Sequence, residues 1–118
     1  MTKKLKLEEL GRIDVETFKK TEKIQLVIIL DSVRSMHNVG AIFRTGDAFL
    51  IEKVVLCGIT PQPPHREIHK AALGATESVD WIYEQDINVA IENLKKENFN
   101  IIGIEQTSSS QLITDFEI

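Results

Sequence analysis

Apolar positions along this chain fall into short blocks separated by polar turns. Gln25 to Leu30 reads QLVIIL and Lys53 to Cys57 reads KVVLC. Continuous branched runs of this length predict strands covered on both faces, hence parallel and central in a sheet. Val79 to Tyr83 (VDWIY) predicts a short strand, and Ile101 to Glu105 (IIGIE) a further buried one. The first two strands are joined by a segment with helical period. A helix over 38–49 puts Val39, Ile42, Phe43, Gly46, Phe49 and Leu50 on the face toward the sheet. Glu67 to Leu73 predicts a short helix closed by Gly74. Ile87, Ala90, Ile91 and Leu94 repeat at i, i+3, i+4, i+7 behind Asp86 as cap, and that helix ends within 98–100. Residues 3–23 predict a charged helical extension. Leu5, Leu7 and Leu10 form a modest apolar set, and Asp14 caps a second short helix with Lys19 and Lys20 at its end. The order β-α-β-(α)-β-α-β predicts an α/β fold, an open and mostly parallel sheet with helices on both faces. The expected division is an extension over 1–23 and a main domain over 24–118.

Composition narrows the partners. The 118 residues suffice for one core, and the net charge of −4 gives no global footprint for a polyanion. Nucleic-acid contact therefore needs a local basic patch or a second subunit. The one cysteine, Cys57, leaves no intramolecular disulfide and fits a reducing compartment. No apolar run approaches the ~20 residues of a membrane helix, and the N-terminus has no apolar run behind its lysines. A cytoplasmic location is expected.

Candidate chemistry gathers in VRSMHNVGAIFRTGDAFL, residues 33–50. Arg44 lies opposite the apolar face, and its neighbours one turn away are Gly40, Ala41, Asp47 and Ala48, three of them small. On periodicity alone Arg44 is an exposed arginine paired with Asp47 at i+3, and Asn38 is a helix cap. Gly40 in the first turn costs about 1 kcal/mol relative to Ala, which a close backbone or ligand approach would explain. Elsewhere the signals are weaker. His65 and His69 stand at i, i+4 but lack a third zinc ligand. Cys57 ends a buried strand and reads as core. Thr107 to Ser110 is a polar loop, and Trp81 and Tyr83 read as packing residues.

The run N-x-G-x-x-x-R-T (Asn38, Gly40, Arg44, Thr45), with the strand IEKVVLCGIT in register behind it, resembles the first motif of the SpoU (TrmH-type) RNA ribose methyltransferases of the SPOUT class. HKAALGA, residues 69–75, resembles the same family's K-x-x-x-G-A element, and the likeness runs from about Leu26 to Glu105.

The resemblance implies transfer of a methyl group from S-adenosylmethionine to a ribose 2′-hydroxyl of tRNA or rRNA, with no DNA or membrane role, by a homodimer. It implies that Arg44 is catalytic and that Asn38 positions Arg44 or the ribose. A guanidinium is a poor base. Arg44 would therefore hold a phosphate and stabilise the developing 2′-alkoxide, or orient a phosphate that takes the proton. The family's sheet ends in a trefoil knot that holds the cofactor, and the loop after IIGIE makes Ile104, Glu105 and Gln106 candidates for cofactor contact. Family members continue with G-x-E-x-x-G and S-L-N-V-S motifs, and neither occurs in these 118 residues. The expectation is a partial domain without the knot, incompetent for methyl transfer alone. The alternative is a noncatalytic RNA-binding or dimerisation fragment of the same fold.

Overall fold

In the computed structural model, residues 14–105 and 107–117 are described. The helix expected on Leu5, Leu7 and Leu10, and the candidate Gln106, lie outside them. The described elements run α1 (Val15–Lys20), β1 (Ile24–Asp31), α2 (Met36–Phe49), β2 (Ile51–Cys57), α3 (Arg66–Ala72), α4 (Ala75–Ser78), β3 (Trp81–Glu84) and α5 (Ile87–Lys96). The three strands form a parallel sheet in the order β1-β2-β3. The fold is therefore α/β, an open parallel sheet with helices on both faces.

Alternation along β2 assigns its two faces. Val54 and Leu56 join Phe18, Leu30, Val39, Phe43, Ile51, Ile68, Ala72, Ala75 and Val79 in the larger core, under α1 to α4. Val55 and Cys57 point the other way and meet Ala90 of α5, with Val27, Ile29 and Ile87 packed around them. A strand with a hydrogen-bonded neighbour on each edge and helices on both faces has no solvated side, which is why β2 is apolar without alternation.

The same reasoning predicts a central β1, and the structure corrects this. Among the described residues β1 has a partner only on its β2 side, so its outer edge is open. Ile24 and Leu26 are each 47% exposed. The strand expected at Ile101–Glu105 is also corrected. Those residues form no ladder and are exposed throughout. Asp86 caps α5 as expected, its carboxylate accepting from the Asn88 N–H at 2.9 Å. Asp14 caps α1 likewise through Thr17 at 2.7 Å. That bond to the backbone N–H of Thr17 holds the Asp14 carboxyl below its usual range.

Candidate RNA-facing site

The turn from β1 into α2 is fixed from below. The buried Thr60 hydroxyl sits 2.7 Å from the Cys57 carbonyl and 3.0 Å from that of Leu30, and accepts the Val33 N–H at 3.0 Å. One side chain thus ties the ends of β1 and β2 to the start of the loop feeding α2. Ser32 takes a left-handed φ of 53°, and the Ser32 N–H donates to the Cys57 carbonyl at 3.1 Å. The Tyr83 hydroxyl donates to the Gly58 carbonyl at 2.6 Å and holds the neighbouring loop. Thr60 escapes sequence reading because a threonine in a Pro-rich loop carries no periodic signal.

Helix α2 begins two residues earlier than the sequence indicates, and Asn38 is not its cap. Ser35 fills that role, its Oγ accepting the Asn38 N–H at 3.1 Å while its carbonyl accepts from Val39 at 3.0 Å. Both residues are good caps, so local chemistry does not choose between them. The choice leaves the Asn38 side chain exposed and not needed to cap the helix.

Val39, Phe43 and Gly46 are buried as the helical wheel requires, but Phe49 is 66% exposed. It is the last helical residue, and Leu50 then turns left-handed (φ 56°) to enter β2. Gly40 is explained by a close backbone approach rather than by a ligand. A Cβ there would lie 2.4 Å from the Ile68 carbonyl oxygen and 2.7 Å from the Ala71 Cβ. The glycine lets α3 pack directly on α2.

Arg44 is exposed on the outer face of α2. The ion pair with Asp47 that its spacing allows is not formed, and Arg44 has no hydrogen bond or ion pair to another described residue. It lines an open groove of about 480 Å³ between α2 and α3, together with His37, Thr45, Phe49, Lys70 and a floor of alanines. Among the described residues, no carboxylate lines that groove. The pairing of Lys70 with Arg44 could not be placed from sequence, although Lys70 opens the K-x-x-x-G-A element. Asn38 does not line the groove. It lies six positions before Arg44, about 9 Å along the axis and about 120° around it, and the two side chains share no hydrogen bond.

The remaining candidates separate from this place. Ile104 is 86% exposed and Glu105 is exposed. The Glu105 carbonyl accepts from the Ser110 hydroxyl at 2.9 Å, and that hydroxyl also accepts the Thr107 N–H at 2.6 Å, so the polar loop satisfies its own groups. Cys57 is fully buried, and burial pushes its thiol up, with Asp31, Glu84 and Asp86 acting in the same direction. A protonated thiol in the core is no nucleophile. His65 caps α3 through Nδ1, accepting from Glu67 at 3.2 Å, while His69 Nδ1 faces the Thr76 hydroxyl at 3.2 Å.

The family model described as SpoU rRNA Methylase family matches residues 25–118. The chain belongs to the SpoU rRNA methylase family. It is 32% identical over 105 residues to the 23S rRNA (guanosine-2′-O-)-methyltransferase RlmB of Coxiella burnetii, a match covering 81% of this chain and 40% of that one. A Staphylococcus epidermidis protein named to the TrmH family of tRNA/rRNA methyltransferases is 32% identical over 92 residues, covering 78% and 37%. The solved SpoU methyltransferase AviRb of Streptomyces viridochromogenes, in complex with AdoMet, shares the fold. Its TM-score is 0.58 at 16% identity, over 80% of this chain and 33% of that one. The SpoU-family chain described here thus spans about two fifths of the length of the curated relatives it matches. No helix among its described residues is long and apolar enough to cross a membrane.

Proposed function

We propose that this chain forms the RNA-facing part of an S-adenosylmethionine-dependent ribose 2′-O-methyltransferase, with Arg44 meeting the target nucleotide. The observation that carries this reading is the setting of Arg44, an exposed guanidinium without a partner among the described residues, in a groove whose described lining residues include no carboxylate. An RNA ribose as acceptor is supported by relatives named for guanosine 2′-O-methylation of 23S rRNA and for tRNA/rRNA methylation. S-adenosylmethionine as donor is supported by the AdoMet complex of a protein with the same fold. A cytoplasmic homodimer acting on tRNA or rRNA belongs to the same proposal.

The chain's own share of the chemistry is electrostatic. Arg44 donates to a backbone phosphate and either stabilises the negative charge that develops on the 2′-oxygen or orients that phosphate to take the 2′-hydroxyl proton. Asn38, exposed on α2 outside the groove, hydrogen-bonds the ribose in this reading. The donor supplies an electrophilic methyl carbon when bound. Ile104 and Glu105, the candidates for contact with it, are both exposed.

Fluorescence anisotropy with labelled tRNA and rRNA fragments tests the role of Arg44. Arg44→Ala is expected to weaken binding across sequences and to lower the slope of log affinity against log salt by about 1, with Arg44→Lys keeping most of that slope. Unchanged affinity and slope in Arg44→Ala would refute the reading.

The exposure of Ile104 and Glu105 favours a second reading, in which the chain binds RNA without catalysing transfer. Titration calorimetry with S-adenosylmethionine separates the two. The 118-residue chain is expected to give no binding heat, and 1:1 binding near micromolar would assign it the cofactor as well.

A further inference from the structure

The groove that holds Arg44 carries a second cation and an aromatic ring that binding of one phosphate does not use. His37, Arg44 and Thr45 stand on one stripe of α2, and Lys70 faces them from α3. Among the described residues, Lys70 has one counter-ion, Glu67 at 3.8 Å, with both side chains more than half exposed. An ion pair this open is weak and screened, so Lys70 can turn to another anion. Against a chain charge of −4, a groove whose described lining residues include two cations, a histidine and no carboxylate is a local reversal of sign.

Phe49 is the second observation. Its ring is 66% exposed although it ends a helix whose other large apolar residues pack inward. It lines the same groove as the cations. A π-face beside fixed positive charge is the combination that holds unpaired nucleotides. The cations take the phosphates, and the ring takes a base. In an A-form duplex the base faces are hidden within the stack, so the ring would have nothing to meet.

We propose that the α2–α3 groove binds single-stranded RNA beside the target nucleotide, with Lys70 on a backbone phosphate and Phe49 stacked on a base. This rests on the RNA reading above and adds that the target lies in an unpaired segment.

The test compares a labelled, unstructured oligoribonucleotide of about 12 nucleotides, within the ~4–16 nucleotide range of single-strand sites, with the same strand annealed to its complement. The single strand is expected to bind more tightly. Phe49→Ala should weaken single-strand binding about 5- to 140-fold, the fold-change of one lost base stack, and Phe49→Trp should restore it. Lys70→Ala should lower the salt slope by about 1, and Lys70→Arg should not. Both side chains are exposed, so these variants keep the core, and matching thermal melts check that they do. Equal binding of duplex, or an unchanged Phe49→Ala, overturns the proposal. If Arg44→Ala still weakens binding in that case, the RNA reading survives without it. If the wild-type chain binds no RNA, both fall. If Phe49→Ala instead dissociates a dimer in sedimentation and leaves RNA affinity intact, the ring serves a contact between copies and the proposal fails.

Discussion

Strand β2 and the segment Ile101–Glu105 are close to indistinguishable as strings. Each is a short run of branched apolar residues between polar turns, and each reads as a buried strand. Yet Val54, Val55 and Leu56 are at most 1% exposed, whereas Ile101, Ile102 and Ile104 are 38%, 49% and 86% exposed. β2 has a hydrogen-bonded neighbour on both edges and helices on both faces, and among the described residues 101–105 has neither. Strand β1 stands between the two cases, with one neighbour among the described residues and a burial that improves from Ile24 to Leu30. An apolar run records that a segment can be buried. Its neighbours decide whether it is.

The sharpest way to break that contrast is to remove the same kind of group from both places. Leu56→Ala leaves a cavity in the larger core and is expected to cost about 2–5 kcal/mol. Ile104→Ala is expected to stay within about 0.5 kcal/mol of wild type, as exposed substitutions do. Urea denaturation with a shared m-value measures both. A loss at Ile104 comparable with that at Leu56 would mean that 101–105 is packed in solution, and the contrast would collapse.

What the sequence made legible divides along the same line. Periodicity within one element located α5 and its Asp86 cap, the βαβ unit, and Arg44 on the outer face of α2. These depend on neighbours a few residues away. The missed features depend on distant ones. Gly40 was legible as a site of close approach, but the Ile68 and Ala71 that make it were not, and Thr60 matters because two strand ends converge on its hydroxyl. Phe49 sits at the margin of its helical face, and the left-handed Leu50 removes the next turn that would have covered it. Asn38 and Ser35 offer nearly equal caps, so the boundary between them was not decidable from composition. At the site, the motif singled out Arg44, but its facing cation, Lys70, comes from α3, which packs on α2 at Gly40 and through the shared core.

Gly40 therefore gives the next, smaller test. In an exposed helix Gly→Ala gains about 1 kcal/mol. Here the new Cβ would meet a backbone oxygen at 2.4 Å, which cannot rotate away. Separating α3 from α2 is expected to cost about 1–3 kcal/mol, and the clash outweighs the propensity gain. Gly103→Ala is the control, with no atom within 4 Å of the added carbon. A stabilised Gly40→Ala would show that α3 does not sit against α2, and would remove the wall that carries Lys70.

The smallest effect concerns how dry the end of β2 is. The folded Cys57 thiol is raised by burial first, then by the carboxylates of Asp31, Glu84 and Asp86, whereas in the unfolded chain it ionises near pH 8.5. Below that pH both states keep the proton, and the thiol adds no pH dependence. Above it the unfolded chain releases a proton that the folded chain retains. Stability therefore falls as pH rises from about 8.5 through the folded value, and levels off beyond it. Urea midpoints taken at intervals from pH 7 to 10 should show this decline in the wild type and a shallower one in Cys57→Ala, the difference isolating the thiol from tyrosine and lysine titration. Parallel curves would mean that solvent reaches Cys57, and that the second core under α5 is open where β2 ends.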